Sequence, residues 1–127
     1  MNQLPRVAFV GDKGVGKTHL VKKILGQEEK KYVATLGVEI RDAEVKTDQG
    51  KVKFAMIDCA GPGKYEGLGP GYWLGCKLIV IVINEREDSL EVWKKKIAAH
   101  VPNVQYIVRK NTCDSAELLS TIVSLIR

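Results

Sequence analysis

The chain has 127 residues, with 20 lysines and arginines against 15 acidic residues, which gives a formal net charge of +5. This length suits one domain around one core, so we expect a single domain over residues 1–127. Hydrophobic residues make up 45% of the sequence and prolines number 4, a composition that excludes a disordered or low-complexity chain.

Membrane and export signals are missing from the sequence. The longest apolar run, LIVIVI at 78–83, is too short to cross a bilayer, and residues 1–10 lack the layout of a signal peptide. The three cysteines, Cys59, Cys76 and Cys113, are odd in number and widely spaced, which is typical of reduced thiols and not of a disulfide framework or a zinc site. The sequence therefore predicts a soluble intracellular protein without a membrane anchor.

The basic residues lie in short clusters along the whole chain, as at Lys22–Lys23, Lys30–Lys31 and Lys94–Lys96. Such clusters most often form solvated helix faces, and a patch for nucleic acid or an acidic partner is the alternative. We favour solvated faces and predict no direct contact with nucleic acid.

The first predicted unit is a strand, a glycine loop and a helix. RVAFV at 6–10 is the strand, and it runs directly into GDKGVGKT at 11–18. The helix that follows extends to about Leu25, because apolar residues recur there at helical spacing. A basic loop comes after this helix.

The second predicted unit is an antiparallel hairpin. Residues 37–47 and 51–58 form its two strands, joined by the turn DQG. The apolar phase slips between Ile40 and Ala43, which indicates a bulge in the first of these strands.

The remaining chain alternates strands and helices. Its predicted elements are a central strand at 78–84, a helix at 89–100, a strand at 104–108 and a helix at 115–127. LIVIVIN is apolar without alternation, as expected for a strand that is covered on both faces. These elements predict a doubly wound α/β sheet with parallel central strands and the hairpin at one edge.

GDKGVGKT matches the phosphate-loop pattern G-x-x-x-x-G-K-[ST] in full, between a strand and a helix. In such a loop the backbone N–H groups surround the phosphates, Lys17 reaches the terminal phosphates and the Thr18 hydroxyl ligates Mg²⁺. A tight glycine turn with no ligand is the alternative. Asp58, which ends the strand FAMID, is placed to hold the Mg²⁺ shell. The predicted loop residues are Gly11, Asp12, Lys13, Gly14, Val15, Gly16, Lys17 and Thr18.

Several segments together resemble the Ras-like small GTPases, and within them the Ran branch. Besides the phosphate loop, these are KKYVATLGVEI at 30–40, similar to the first switch, DCAGPGKYEGL at 58–68, similar to the second switch, and NTCD at 111–114 in place of the guanine motif N-K-x-D. The resemblance covers residues 5 to 114. It implies the three-layer fold of the small GTPases, a P-loop nucleotide-binding fold, here truncated at its C-terminal end.

The resemblance assigns roles around the γ-phosphate. Thr35 would close on Mg²⁺ and the γ-phosphate, Gly61 would donate its N–H to that phosphate, and Tyr32 would cover it. The implied cofactors are GTP or GDP with Mg²⁺, the metal held by Thr18, Thr35 and, through water, Asp58.

The resemblance also implies a guanine site. Asn111 and Asp114 would read the base, since a carboxylate accepts from donors of guanine that adenine lacks. A capping box, with Asp114 followed by Glu117 before an apolar helix, is the alternative role for Asp114. Thr112 replaces the lysine of the family, and its Ser-Ala-Lys loop is missing, so the base pocket is incomplete.

Two departures from the family affect hydrolysis, and no intact catalytic residue is predicted. Pro62 stands where the family has the glutamine that orients water, and proline offers neither a side-chain donor nor a backbone N–H. Lys13 occupies the loop position where, in the family, a side chain crowds that glutamine; the alternative is that Lys13 itself reaches a phosphate, which would tighten GTP binding or partly stabilise charge. We therefore expect slow hydrolysis of GTP.

The functional hypothesis is a Ran-like switch that persists in its GTP form. The resemblance implies importin-β-type transport receptors or other Ran effectors as partners through residues 30–40, no membrane partner, and a place in cytoplasm and nucleus. A monomer or weak dimer is expected. The alternatives are a decoy or scaffold that binds nucleotide weakly or not at all, and a phosphate-loop protein for ATP or another phosphate ligand.

Overall fold

Six strands and two helices form the part of the chain that the computed structural model describes, which is residues 4–11, 20–21, 23–24, 32–35, 38–48, 50–58, 73–84 and 90–126. For residues 32–35 and 38–39 the backbone alone is described. The strands are β1 (Arg6–Val10), β2 (Tyr32–Thr35), β3 (Val38–Thr47), β4 (Gly50–Asp58), β5 (Leu78–Ile83) and β6 (Gln105–Lys110). The helices are α1 (Leu90–His100) and α2 (Ser115–Ile126).

The strands form one sheet in the order β2-β3-β4-β1-β5-β6. β1 pairs in parallel with β4 and β5, and β5 pairs in parallel with β6. β3 pairs antiparallel with β4 and with β2. The doubly wound α/β fold with parallel central strands and an antiparallel edge is therefore confirmed.

Both faces of the sheet are covered, because β5 is apolar at every position and β1 is apolar from Val7 to Val10, so both strands present apolar side chains to both sides. On one face Val7 and Phe9 of β1 pack with the helical residues Leu20 and Val21 and with the inner side of α2. On the other face Ala8 and Val10 pack with Ile97 of α1 and with Trp73. The predicted three-layer arrangement is confirmed.

The predicted bulge is wrong. The pairing of β3 with β4 runs without interruption from Glu39 opposite Asp58 to Thr47 opposite Gly50. Ile40 lies opposite Ile57 and belongs to the core under α1, whereas Ala43 lies opposite Phe54 in the core under α2. Packed layers cover both faces of β3, so its apolar side chains change from one face to the other while its backbone stays regular.

The predicted loop before the hairpin is also partly wrong. Residues 32–35 form β2, which pairs with the first four residues of β3 and is the outermost strand on that side of the sheet. The antiparallel part therefore has three strands instead of two. The sequence YVAT contains a β-branched and aromatic stretch that suits an edge strand.

Candidate functional site

One edge of the sheet collects the ends of its strands. Parallel strands end on the same side, so Gly11 after β1, Asp58 at the end of β4 and Asn111 after β6 share this edge. Thr35 ends β2 at the same edge. It lies opposite Val38 of β3, and the next residue, Glu39, pairs with Asp58. Ligands of open α/β sheets bind at this carboxyl edge.

β1 lies where the strand order reverses, since β4 and β5 follow each other in the chain and flank it on opposite sides. Neighbouring strands are about 4.8 Å apart. Asp58 is thus one strand from Gly11, and the turn at 111–114 lies two strands away on the other side, roughly 10 Å across. An elongated ligand with phosphates at β1 and a base at β6 matches this spacing.

Asp58 is a buried carboxylate, with 1% of its surface exposed, and its Cα pairs with Phe9 of β1. A buried carboxylate is costly unless cations or hydrogen-bond donors face it. Carboxylate oxygen is a ligand that Mg²⁺ prefers. The burial and position of Asp58 therefore fit the Mg²⁺ of a bound nucleotide.

Most of the predicted phosphate site lies outside the described residues. This holds for Asp12, Lys13, Gly14, Val15, Gly16, Lys17, Thr18, Gly61 and Pro62. Gly11 is described, and it is buried directly after β1. For Tyr32 and Thr35 only the strand backbone is described, so the roles of their side chains stay predictions.

The four residues 111–114 form a turn that joins β6 to α2. The Asn111 N–H donates to the Ile83 carbonyl over 2.8 Å, which ties the turn to β5. The Cys113 N–H donates to the Lys110 carbonyl over 2.9 Å and closes the turn. Asn111 and Asp114 are thereby brought together at the carboxyl edge.

Asp114 caps α2, because its Oδ1 accepts from the Ala116 N–H at 2.9 Å. The capping role that competes with base reading is therefore present. A carboxylate has roughly four acceptor sites on its two oxygens, so one capping bond leaves acceptor capacity for a base. The cap alone does not prevent Asp114 from reading guanine.

Glu117, the second residue of the expected capping box, contacts side chains of β6 and α2. The Glu117 carboxylate accepts from Arg109, over 3.3 Å from Nη2 and 3.4 Å from Nε. The Thr121 hydroxyl donates to the same carboxylate over 3.2 Å. Sequence patterns missed Arg109, because it lies eight residues before its partner, in a different element, where no periodic spacing relates the two.

Arg41 is a second residue that the sequence reasoning missed. Its Cα lies opposite Met56, and it is buried with 4% of its surface exposed. Since side chains alternate along a strand, Arg41 and Asp58 lie on the same face, two residues apart in register. The phase slip that suggested a bulge was the available signal, because it puts a charged residue at an inward position.

The described thiols are shielded. Burial raises the pKa of the Cys76 thiol to about 11, against a smaller opposing effect of Arg6. Burial also raises the pKa of Cys113, where Arg109 acts in the opposite direction and Glu117 and Asp114 add to the rise. Both thiols therefore stay protonated near neutral pH.

Neither described helix combines the length and apolar content that a membrane span requires. A sequence model of one protein family, described as "Ras of Complex, Roc, domain of DAPkinase", matches residues 6–114 of the chain. The match begins at the first residue of β1 and ends at Asp114, so it includes every strand that reaches the carboxyl edge.

Proposed function

Because the chain belongs to the Roc (Ras of Complex) family of Ras-superfamily GTPase domains, we propose that it is a Ran-like switch with slow hydrolysis. Domains of this family bind GTP or GDP with Mg²⁺. The observation that supports the proposal best is the shared edge of the sheet, where Asp58, Gly11 and the turn at 111–114 follow one another in the order expected for metal, phosphate and base.

Each residue has a defined task in this proposal. The loop at 11–18 surrounds the phosphates, and Asp58 holds the Mg²⁺ shell one strand away. Asn111 and Asp114 bind the base, and Thr35 responds to the γ-phosphate. The bound metal ion supplies positive charge that balances the phosphate oxygens.

Slow turnover follows from the residues beside the γ-phosphate. Pro62 offers no side chain to orient the attacking water, and Lys13 crowds the same place. Restoring both positions with Pro62→Gln and Lys13→Gly should accelerate single-turnover hydrolysis of GTP. Equal rates in the double variant and the original protein would contradict this explanation.

The partner in this proposal is an importin-β-type transport receptor, bound in cytoplasm or nucleus through residues 30–40. A pull-down with protein loaded with GTP, with GDP, or carrying Thr35→Ala tests it. We expect the receptor to bind only the GTP-loaded protein with Thr35. Equal capture in all three cases would reject the switch.

A decoy that binds nucleotide weakly is the second candidate. Two features favour it: the Asp114 carboxylate already caps α2, and Thr112 replaces a lysine that packs on the base in the family. Nucleotide released from the purified, denatured protein distinguishes the two candidates. Stoichiometric GTP or GDP would exclude an empty decoy, and the absence of nucleotide would favour it.

A further inference from the structure

Arg109 joins the last part of β6 to the first turn of α2. Its Nη2 and Nε donate to the two oxygens of the Glu117 carboxylate over 3.3 and 3.4 Å. Its Nη1 donates to the Val108 carbonyl over 2.9 Å. One guanidinium group therefore fastens a strand backbone and a helix side chain together.

This link encloses the whole turn at 111–114. The chain leaves β6 after Lys110, and Glu117 is the third residue of α2. The Thr121 hydroxyl, one helical turn later, shares its single proton between the Glu117 backbone carbonyl and the Glu117 carboxylate, which lie 3.0 and 3.2 Å away. Arg109 of β6 and Thr121 of α2 therefore both contact the Glu117 carboxylate. The contact with Arg109 sets the distance between the end of β6 and the start of α2, beside the turn.

The hydrogen bonds inside the turn do not themselves prevent α2 from shifting along β6, and Arg109 opposes this shift beside the turn. The Asn111 N–H is tied to β5, and the Asp114 Oδ1 is tied to α2. If α2 shifts along β6, Asp114 moves with the helix while Asn111 stays with the sheet. Direct links between β6 and α2 resist this shift, and the described residues show two. Arg109 pairs with Glu117 beside the turn, and Gln105 Nε2 donates to the Leu125 carbonyl over 3.0 Å at the far end of α2. Arg109 is therefore the link that acts at the turn itself.

We propose that Arg109 is a positioning residue for base recognition, which holds Asn111 and Asp114 at the separation that guanine requires. The inference rests on the proposed binding of GTP. Arg109 acts through the turn and does not contact the base. A planar guanidinium that donates to both oxygens of a carboxylate fixes orientation, which a lysine ammonium at the same place does not.

The expected effect is modest because the pair is partly open to solvent, with 27% of the Arg109 side chain and 54% of the Glu117 side chain exposed. Pairs of this kind support changes of about threefold. The test therefore uses a ratio of two affinities and not a single affinity.

Inosine triphosphate is the probe, because it differs from GTP only by lacking the 2-amino group that the Asp114 carboxylate would accept from. Affinities for GTP and for inosine triphosphate are measured on the original protein and on Arg109→Met, Arg109→Lys and Glu117→Gln. We expect the preference for GTP to fall about threefold in all three variants. Combining Arg109→Met with Glu117→Gln should add little to either single change, since both break the same link.

Lys51→Met is the matched control. It removes an exposed ion pair of similar length, 3.4 Å to Glu44, from the hairpin strands, and the nucleotide preference should not change. A lower GTP preference in Lys51→Met as large as that in Arg109→Met would reject a specific role for Arg109. Equal weakening of both nucleotides in Arg109→Met, with the ratio unchanged, would also reject it.

A second readout is independent of nucleotide. Cys113 lies inside the turn, and its alkylation in the nucleotide-free protein is followed by mass spectrometry of the peptide that contains it. Arg109→Lys keeps the positive charge but loses the two-pronged contact, so we expect faster alkylation as the turn opens. An unchanged rate in Arg109→Lys would contradict the positioning role.

The two hypotheses fail in different ways. If the original protein binds neither GTP nor GDP, the proposed function is wrong, and the role in base recognition falls with it. If the original protein prefers GTP and the Arg109 variants keep that preference, only the positioning role is wrong.

Discussion

Gly75 lies in the short turn between Trp73 and β5, with φ at +80°, a conformation that L side chains rarely adopt. A Cβ at this position would lie 2.5 Å from Nη2 of Arg6, whose guanidinium donates to the Leu74 carbonyl over 3.0 Å. Gly75→Ala therefore adds backbone strain and displaces Arg6 from this hydrogen bond. We expect a loss of about 2 kcal/mol in the free energy of unfolding, measured by urea denaturation.

Gly50 provides the control for this prediction. Its φ is +113°, but a Cβ there would meet no atom within 4 Å. Gly50→Ala should therefore show backbone strain alone, at a φ that lies farther from the left-handed minimum than that of Gly75. The contact with Arg6 is isolated by measuring Gly75→Ala in the Arg6→Met background, where its cost should fall; an unchanged cost there would show that the contact contributes nothing.

Ionisation of the Cys76 thiol makes the free energy of unfolding depend on pH in the alkaline range. Its thiol has a pKa of about 11 in the folded protein, compared with 9.0 for an unperturbed thiol, mainly because of burial. Between these values the unfolded chain loses the proton while the folded protein keeps it, so the free energy of the unfolded state falls relative to that of the folded state. The contribution of this thiol to stability is fully retained below pH 9 and is lost as the pH rises towards 11.

The measurement is the urea midpoint of the original protein and of Cys76→Ala at pH 8, 9, 10 and 11. Because other groups also titrate in this range, the comparison of the two slopes is what isolates the thiol. We expect the midpoint to fall less steeply in Cys76→Ala. Parallel curves would mean that Cys76 ionises equally in the folded and unfolded states.

At the level of secondary-structure elements, Asp114 caps α2 and belongs to the turn at 111–114, to which we assign base recognition. Asparagine caps a helix about as well as aspartate, whereas alanine does not. Asp114→Ala should therefore lower the free energy of unfolding by about 1 kcal/mol, and Asp114→Asn should leave it nearly unchanged. Both variants should lose guanine preference, because neither has a carboxylate that accepts from two base donors.

Thermal denaturation and competition between GTP and ATP measure the two effects separately. Ser120→Ala, on an exposed part of α2 away from the turn, is a suitable control for both measurements. If Asp114→Asn keeps the full preference for GTP over ATP, Asp114 is a helix cap and nothing more.

The elements differ in how far the sequence determined them. β5 and α2 were predicted closely, because an unbroken apolar run and a helical repeat each reflect the packing of a single element. β2 was predicted as a loop because four residues carry too little periodicity, and its pairing with β3 depends on a neighbouring strand. The bulge predicted near Ile40 is absent because both faces of β3 are covered there, so apolar side chains occur on both faces of a regular strand.

The residues of the candidate site were predictable where they lie at or after the ends of predicted strands. Asp58 ends one predicted strand, and Asn111 and Asp114 come after another, so the topology alone brings them to one edge. The bridge from Arg109 to Glu117 depends on how closely α2 packs on β6, and local spacing does not encode that distance. Arg41 was visible in the sequence only as an irregularity in the pattern of β3.

On the scale of the whole molecule, the sheet brings distant parts of the chain to one ligand-binding edge. The residues that would hold a nucleotide lie on β1, β4 and the turn after β6, and these strands occupy the middle and one side of the sheet. A ligand that contacts all of them adds a further link between strands that the hydrogen bonds of the sheet and the core already join. Binding should therefore stabilise the fold as a unit, because nucleotide bound to the folded state alone shifts the unfolding equilibrium.

This linkage gives a prediction that needs no assay of hydrolysis. At a GTP concentration about 100 times the dissociation constant, with Mg²⁺, the folded state gains about 2.7 kcal/mol, which corresponds to a rise in Tm of roughly 10 °C for a domain of this size. ATP should give a smaller rise, and chelation of Mg²⁺ should reduce the effect of GTP.

Lys17→Ala should abolish the rise in Tm, since this side chain is predicted to reach the terminal phosphates. Lys23→Ala removes an exposed lysine from the helix that follows the loop, and this variant should show the same rise in Tm as the original protein. Because the stabilisation depends on affinity and not on turnover, a slow GTPase would show the full rise in Tm. An empty decoy would show none, so an unchanged Tm at saturating GTP contradicts the proposed switch whatever the state of its catalytic residues.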